Sequence, residues 1–473
     1  MLGGAVLHAK GHELCMSESS SISERLAEFS IKQTEFPDVV VNEAKRIILD
    51  QLTCQIAFAV LPWSIAYLDS VKSLGTGKGA TVIYHGDQLA LDQAAFVNSA
   101  FGHGGEFDDS QLGSHTHSGA VIVPTVLALA ESRPVSGARA LAAVIVGVEV
   151  MVRIGAGAAP HLDERGFHAP PIVGPFGAAA ASCRLMETDV QRCVHAMGIA
   201  GSHAGGTREY TRSGGTMKRI HCAIPAMSGL RSAVMAAHGI TGPRTVIDGD
   251  RGILQCFAGE FDAACVTQGL GRDYLLVETA YKPITSPWPA HAPIEAFGWL
   301  IDQHRLVPDQ IAAIEVGTSQ QAMNNVRTIK VPRDVMEAQY SLVHGLAVRL
   351  FRGGNRLRDY REEDLQDSRF HALSRKVQIK VDPICEEERL RLKNRAAVVT
   401  VATTDGRRLE KRVQYSKGHP KNPFSNDELT AKFMDSVVPL LGSDRAKRIA
   451  ETVWSIERTA DASSLVKLSV KTA

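Results

Sequence analysis

Residues Gly104 to Ala120 read GGEFDDSQLGSHTHSGA. Three carboxylates (Glu106, Asp108, Asp109) and two imidazoles (His115, His117) crowd into this stretch, and His103 stands just before it. Three kinds of chemistry use that mixture. A metal site would take the carboxylate oxygens and imidazole nitrogens as ligands. The stretch has no HExxH, however, and no ligand pair spaced i,i+4 for one helix face. An acid/base site would move the weakly acidic proton next to a carboxylate. That needs a base that titrates near neutrality, which histidine is, and cations to hold the charge that develops. Acids beside the imidazoles would set their tautomer and orientation. A plain polar loop, with aspartates capping backbone, is the third reading. On this stretch alone the catalytic and the structural readings stay open.

Other segments add titratable groups at helix edges. "SGGTMKR" (213–219) has the wrong spacing for a phosphate-binding P-loop, and no GxGxxG follows a strand anywhere. It is either a plain turn before a helix or an anion site. In the second case Lys218 and Arg219, with the N–H groups that open the next helix, would favour a carboxylate or a phosphate. Arg212 lies just before them. His168 precedes a Pro pair in "GFHAPPIVGPFGAAAAS", and His291 sits in the Pro-rich turn "SPWPAHAPIEAF". One histidine at either place would be an ordinary satisfied structural group. Two of them, with Lys218 and the acidic loop, favour acid/base chemistry.

The bulk composition bounds the partners. The chain has 473 residues, 52 Lys+Arg against 51 Asp+Glu, a formal charge of +1 and 44% hydrophobic residues. That is a globular balance with length for two or three domains. It argues against a nucleic-acid or anionic-membrane surface, and leaves room for a local basic pocket. The eight cysteines include no CxxC pair. They are expected to be reduced core thiols of an intracellular protein. The first residues lack a basic signal-peptide region and are expected to form a loose extension. The longest apolar run, Ala140 to Val148, is half of the roughly 20 residues that span a bilayer. A soluble, cytoplasmic protein is expected, with import into an organelle left open.

Periodicity then places the elements. "VNEAKRIILDQLTCQIAFA" stripes Val41, Ala44, Ile48 and Leu52 on one helix face. "SGARALAAVIVGVEVMVRIG" starts at a Ser136 cap, is apolar nearly all round, and predicts a central helix with Glu149 and Arg153 paired i,i+4. "GPFGAAAAS" is rich in small residues that let helices approach closely. "IPAMSGLRSAVMAAHGITGP" predicts a helix ended by Gly239. The texture changes later. "IAAIEVGT", "KVQIKVD" and "AAVVTVAT" alternate like half-buried strands, and Asp405-Gly406 marks a hairpin. "EAQYSLVHGLAVRLFRG" predicts a helix between them. Ser425 and Glu428 form a capping box before a last helical stretch. The fold class expected is mainly α with an inserted α+β domain. A large all-helical domain covers 19–275, a smaller α+β domain 276–424, and C-terminal helices 425–473 return to the first.

Six blocks in order resemble the MmgE/PrpD family, which contains 2-methylcitrate dehydratase, cis-aconitate decarboxylase and iminodisuccinate epimerase. They are "NSAFGHGGEFDDS", "HSGAVIVPTVLALAE", "AVIVGVEVMVRIG", "FHAPPIVGPFGAAAAS", "GGTMKRIHCAIPAMSGLRSAVMAAHGITGP" and "YKPITSPWPAHAPIEA". The resemblance implies a helical domain with an α+β lid domain, no metal or organic cofactor, a homodimer, and a small polycarboxylate substrate. It implies a lyase, with epimerisation of an imino- or amino-dicarboxylate, or a relative without catalysis, as alternatives. Carried onto this chain, the acidic motif position falls on Glu106, where many relatives have Asp, and the hydroxyl position on Ser110. The catalytic histidine after the loop falls on His117, with His115 as fallback; some relatives carry it where this chain has Thr116. The other family positions are His168, Lys218 and His291. Glu106 would orient a histidine or the lysine. His103, Ser110, Arg212, Arg219 and His291 would bind substrate. Relatives of the mammalian decarboxylase type have a further histidine four residues before His291, where this chain has Pro287.

Overall fold

The structure, a computed structural model, describes residues 20–213, 215–326 and 329–472; the side chains of Arg212 and Ser213 are outside the description. The N-terminal extension and Cys15 therefore lie outside the described residues. The chain divides into two compact units. The first holds the residues up to Gly104, Asp109–Thr279 and Leu429 onward; the second holds Gly105–Asp108 and Ala280–Glu428.

The first unit is helical. Its main helices are α1 (Asp38–Phe58), α2 (Leu91–His103), α3 (Ser118–Ser132), α4 (Gly137–Ala158), α5 (Ala169–Leu185) and α6 (Ala223–Ala237). Ser136 caps α4 by accepting from the Arg139 N–H at 3.3 Å. This helix is long and apolar enough to cross a membrane, yet nearly all of it is buried inside the unit. Each of its buried Val, Ile and Leu side chains contributes about 1.5–3 kcal/mol. Its two buried charged residues are internal partners: Arg153 Nε donates to Glu149 Oε1 at 2.7 Å. Glu149 also accepts from the Leu275 and Leu276 N–H groups, and Arg153 donates to the Gln268 carbonyl. A buried pair satisfied in this way does not leave a charge stranded.

The small residues of α5 bring backbones into contact. A Cβ added to Gly177 would lie 2.5 Å from the Gly147 carbonyl of α4. One added to Gly229 of α6 would lie 2.5 Å from both Ala178 Cβ and the Pro175 carbonyl. Helix α6 ends at Ala237 with His238 as its cap, and Gly239 takes the left-handed turn (φ +91°) that ends such helices.

The second unit carries a four-stranded sheet of β1 (Ile311–Thr318), β2 (Val377–Val381), β3 (Ala397–Thr403) and β4 (Arg408–Val413), in the order β2-β1-β3-β4. β1 runs parallel to β2 and antiparallel to β3; β3 and β4 are antiparallel. Asp405-Gly406 makes the hairpin, with Gly406 at φ +89°. Helices α7 (His291–His304) and α8 (Leu342–Arg352) bury Phe297, Leu300, Leu346 and Val348 in one core with Ile314, Val316, Val399 and Val401. The helix expected over EAQYSLVHGLAVRLFRG is broken. Val335–Tyr340 forms one turn-rich piece, and Ser341 ends it to cap α8 by accepting from the His344 N–H at 3.3 Å. A serine whose hydroxyl competes for backbone groups favours this break.

Ser425 and Glu428 make the expected capping box, with 2.7 and 3.1 Å contacts, at the start of α9 (Asn426–Leu441). Helix α10 (Ser443–Trp454) follows. In the first unit, buried Lys432 of α9 donates to Asp50 of α1 at 2.7 Å.

Candidate active site

Four imidazoles of the first unit stand at helix ends. His103 is the last residue of α2, His117 precedes α3, His168 precedes α5, and His221 follows the turn Met217–Ile220 just before α6. Their ring centroids lie 4.8 Å (His103–His117), 6.2 Å (His103–His168), 6.4 Å (His117–His168) and 5.1 Å (His168–His221) apart. The N-termini of α3, α5 and α6 point partial positive charge at this place, which favours anions and neutral rings.

The loop before α3 shows why the rings are held. Gln111 and Thr116 exchange backbone bonds at 2.9 and 3.3 Å, and Ser114 Oγ lies 2.7 Å from Thr116 Oγ1. Asp109 accepts from the Gly119 N–H of α3 at 3.0 Å, so this carboxylate is a helix cap. The Asp109 carbonyl lies 2.7 Å from His117 Nδ1. A carbonyl only accepts, so His117 carries its proton on Nδ1, and its neutral form has a bare Nε2.

His168 and His221 face each other through their Nδ1 atoms at 2.9 Å. Tyr210 sets its ring edge-on to both, at 5.7 and 5.4 Å. Burial, then the neighbouring His103, His221, His117 and Arg208, holds the His168 pKa well below its usual value. Burial, then Lys218, lowers that of His221 to about 4. Burial raises that of the Tyr210 phenol.

Lys218 and Arg219 are both buried. The glycine-rich stretch is a 3-10 turn over Met217–Ile220, tied down by the Tyr67 hydroxyl, which donates to the Thr216 carbonyl at 2.8 Å. Arg219 Nε donates to the Gly104 carbonyl at 3.2 Å, and its guanidinium sits 4.4 Å over the Trp63 ring. Gly104 is glycine for space: a Cβ there would fall 1.7 Å from the Trp63 ring.

His115 is placed otherwise. Its Nδ1 bonds to Asp163, which also accepts from Arg208 at 3.0 Å. Ser110 is buried in the first unit. The Arg212 side chain lies outside the described residues.

Glu106 and His291 belong to the second unit. There Glu106 accepts from Lys282 Nζ at 3.1 Å and from the Tyr340 hydroxyl at 2.7 Å, while Asp108 lies 3.5 Å from the same Nζ. Lys282 is 2% exposed. A lysine that Glu106 holds is thus Lys282, which the sequence reading did not single out. His291 is buried against Trp288, with ring centroids 4.6 Å apart, and its Nε2 lies 2.9 Å from the Ser286 carbonyl.

Residues 24–265 match the MmgE/PrpD N-terminal domain, and residues 288–458 match the MmgE/PrpD C-terminal domain. The chain belongs to the MmgE/PrpD family. Family relatives are similar along nearly their whole length. A cis-aconitate decarboxylase-like protein of Aspergillus oryzae is 26% identical over 93% of this chain and 94% of its own. The cis-aconitate decarboxylase of Homo sapiens is 26% identical over 96% and 95%, and that of Aspergillus terreus 25% over 92% of each.

Sequence reasoning passed over His221, Tyr210, Lys282 and Tyr340. His221 and Lys282 stand inside quoted family blocks, "MKRIHCA" and "YKPITS", and a titratable residue in an apolar block was the available signal.

Proposed function

We propose that this protein is a cofactor-independent lyase acting on a cis-aconitate- or citrate-like polycarboxylate. The observation that carries the proposal is the set of three adjoining imidazoles, His103, His117 and His168, in the unit that also buries Lys218 and Arg219. Full-length similarity to proteins named cis-aconitate decarboxylase supports the substrate class.

Decarboxylation of cis-aconitate breaks one C–CO2 bond. The electron pair moves through the double bond to carbon, CO2 leaves, and one proton is added there. Dehydration of a citrate removes a proton next to a carboxylate and expels hydroxide, which leaves as water once protonated. Both need a group that takes up or delivers a proton at the reacting carbon, and fixed positive charge. One of His117 and His168 moves the proton; the other, with Lys218, binds or protonates. Arg219, His103, Ser110 and Arg212 bind carboxylates and hydroxyl. In the second unit Glu106 fixes Lys282, and His291 is the further candidate for substrate. Pro287, where mammalian-type decarboxylases carry histidine, favours dehydration as the second reaction to test.

The purified protein is incubated with cis-aconitate, 2-methylcitrate or iminodisuccinate in deuterated water and followed by NMR. Loss of CO2 with one deuterium gained supports the decarboxylase; loss of water supports the hydro-lyase. Deuterium uptake into otherwise unchanged iminodisuccinate indicates the epimerase. Inactivation by chelator indicates the metal alternative. If His168→Ala and Lys218→Ala leave every turnover unchanged, the catalytic assignment is wrong.

A further inference from the structure

His221 stands outside the chemistry assigned so far, yet it makes the one hydrogen bond that His168 has to another side chain among the described residues. Two Nδ1 atoms 2.9 Å apart are bonded only if one of them, and only one, carries a hydrogen. The pair therefore permits two arrangements. In one, His221 donates, and His168 keeps its proton on Nε2. In the other, His168 donates, and its Nε2 is a bare lone pair.

The surroundings hold both rings in this register. The His168 backbone N–H donates to the Gly206 carbonyl at 3.0 Å, and the His221 backbone N–H to the Lys218 carbonyl at 3.1 Å. Gly206 has φ +154°, and a Cβ there would meet Pro171 at 2.5 Å and stand 3.6 Å from His221 Nε2. Tyr210 closes the edge of both rings. His103, His117, Arg208 and Lys218 are the titratable or charged neighbours, and they crowd the pair with potential positive charge. A second proton on the pair is thereby disfavoured, so the bond is between two neutral rings.

We infer that His221 is a positioning residue for His168: its Nδ1 accepts from the His168 Nδ1–H and leaves Nε2 as the basic nitrogen of His168. The inference rests on the proposed function only in requiring His168 to be a base. When Nε2 takes a proton from the substrate carbon, the single positive charge is shared through the N–H–N bond, and returning that proton restores the pair. No other group is consumed.

Histidine ring-15N NMR of the whole protein tests the tautomer without any substrate. His168, assigned through His168→Gln, is expected to show a protonated Nδ1 and an unprotonated Nε2. In His221→Phe, which keeps the ring packing, that single tautomer should give way to an exchanging mixture. His221→Asn, whose Oδ1 stands near the lost Nδ1 and accepts, should restore it. On the polycarboxylate that is turned over, His221→Phe should lower kcat by about 10- to 100-fold with KM within about twofold. His221→Asn should recover to within about threefold. An unprotonated Nδ1 on wild-type His168, or His221→Phe with unchanged kcat, overturns the assignment. If no polycarboxylate is turned over, the proposed function fails while the spectrum still decides the pairing. If His221→Phe does not fold, the wild-type and His221→Asn spectra decide alone.

Discussion

Burial holds four histidines neutral: His168 and His221 in the first unit, His344 and His419 in the second, the last three with pKa values near 4. The unfolded rings take up protons near pH 6.5, while the folded rings stay neutral well below it. The unfolded state therefore binds more protons in the window from about 6.5 down to about 4, and stability falls there as pH is lowered. Above that window these residues contribute no pH dependence. The urea midpoint should be level between about pH 7 and 8 and drop steadily from about pH 6.5 to 5; a level profile through the lower range would refute the burial argument. Lys282 gives a second expectation. Lys282→Met removes the cation that buried Glu106 and Asp108 share and should cost about 3–5 kcal/mol in urea unfolding. Adding Glu106→Gln removes one of the two carboxylate charges while keeping an acceptor for Tyr340, and should recover part of the loss, since Asp108 stays buried beside the lost cation.

Among the elements, α4, α5 and α6 depend on the absence of side chains where they touch. Gly177→Val would push a branched side chain against the Gly147 carbonyl and Met151 Cβ, 2.5 and 2.8 Å from its Cβ position. The expected loss is about 1–3 kcal/mol or more, read as a lower melting temperature with the helical circular dichroism retained. These elements were legible because their signals are local. Ser136, Gly239, Asp405-Gly406 and the Ser425–Glu428 box each act within a few residues, and strand alternation in VQIKV needs nothing else. The break at Ser341 was not legible, since serine also occurs inside helices. Of the candidate site, His103, His117 and His168 showed through their density and helix-edge places. The partners did not: His221 lies 53 residues from His168, and Lys282 lies 176 from Glu106. Pairing over such distances is made by tertiary packing, which no local pattern encodes.

For the molecule as a whole, the family resemblance leads us to expect a homodimer. Light scattering after gel filtration should give twice the mass of one chain, and a single-chain mass at micromolar concentration would reject it. The helical unit, the sheet unit and the return of α9 to α1 through Lys432 and Asp50 make one chain pass twice through its first core. The stacking of Arg219 on Trp63 has a practical consequence. Indole emission responds to nearby charge, and the chain has only four tryptophans. A polyanion settling on Lys218 and Arg219 should therefore shift the emission colour of unlabelled protein, and Trp63→Phe should silence that response. Were that shift seen, the fold would carry its own optical gauge of occupancy, readable before any product has formed.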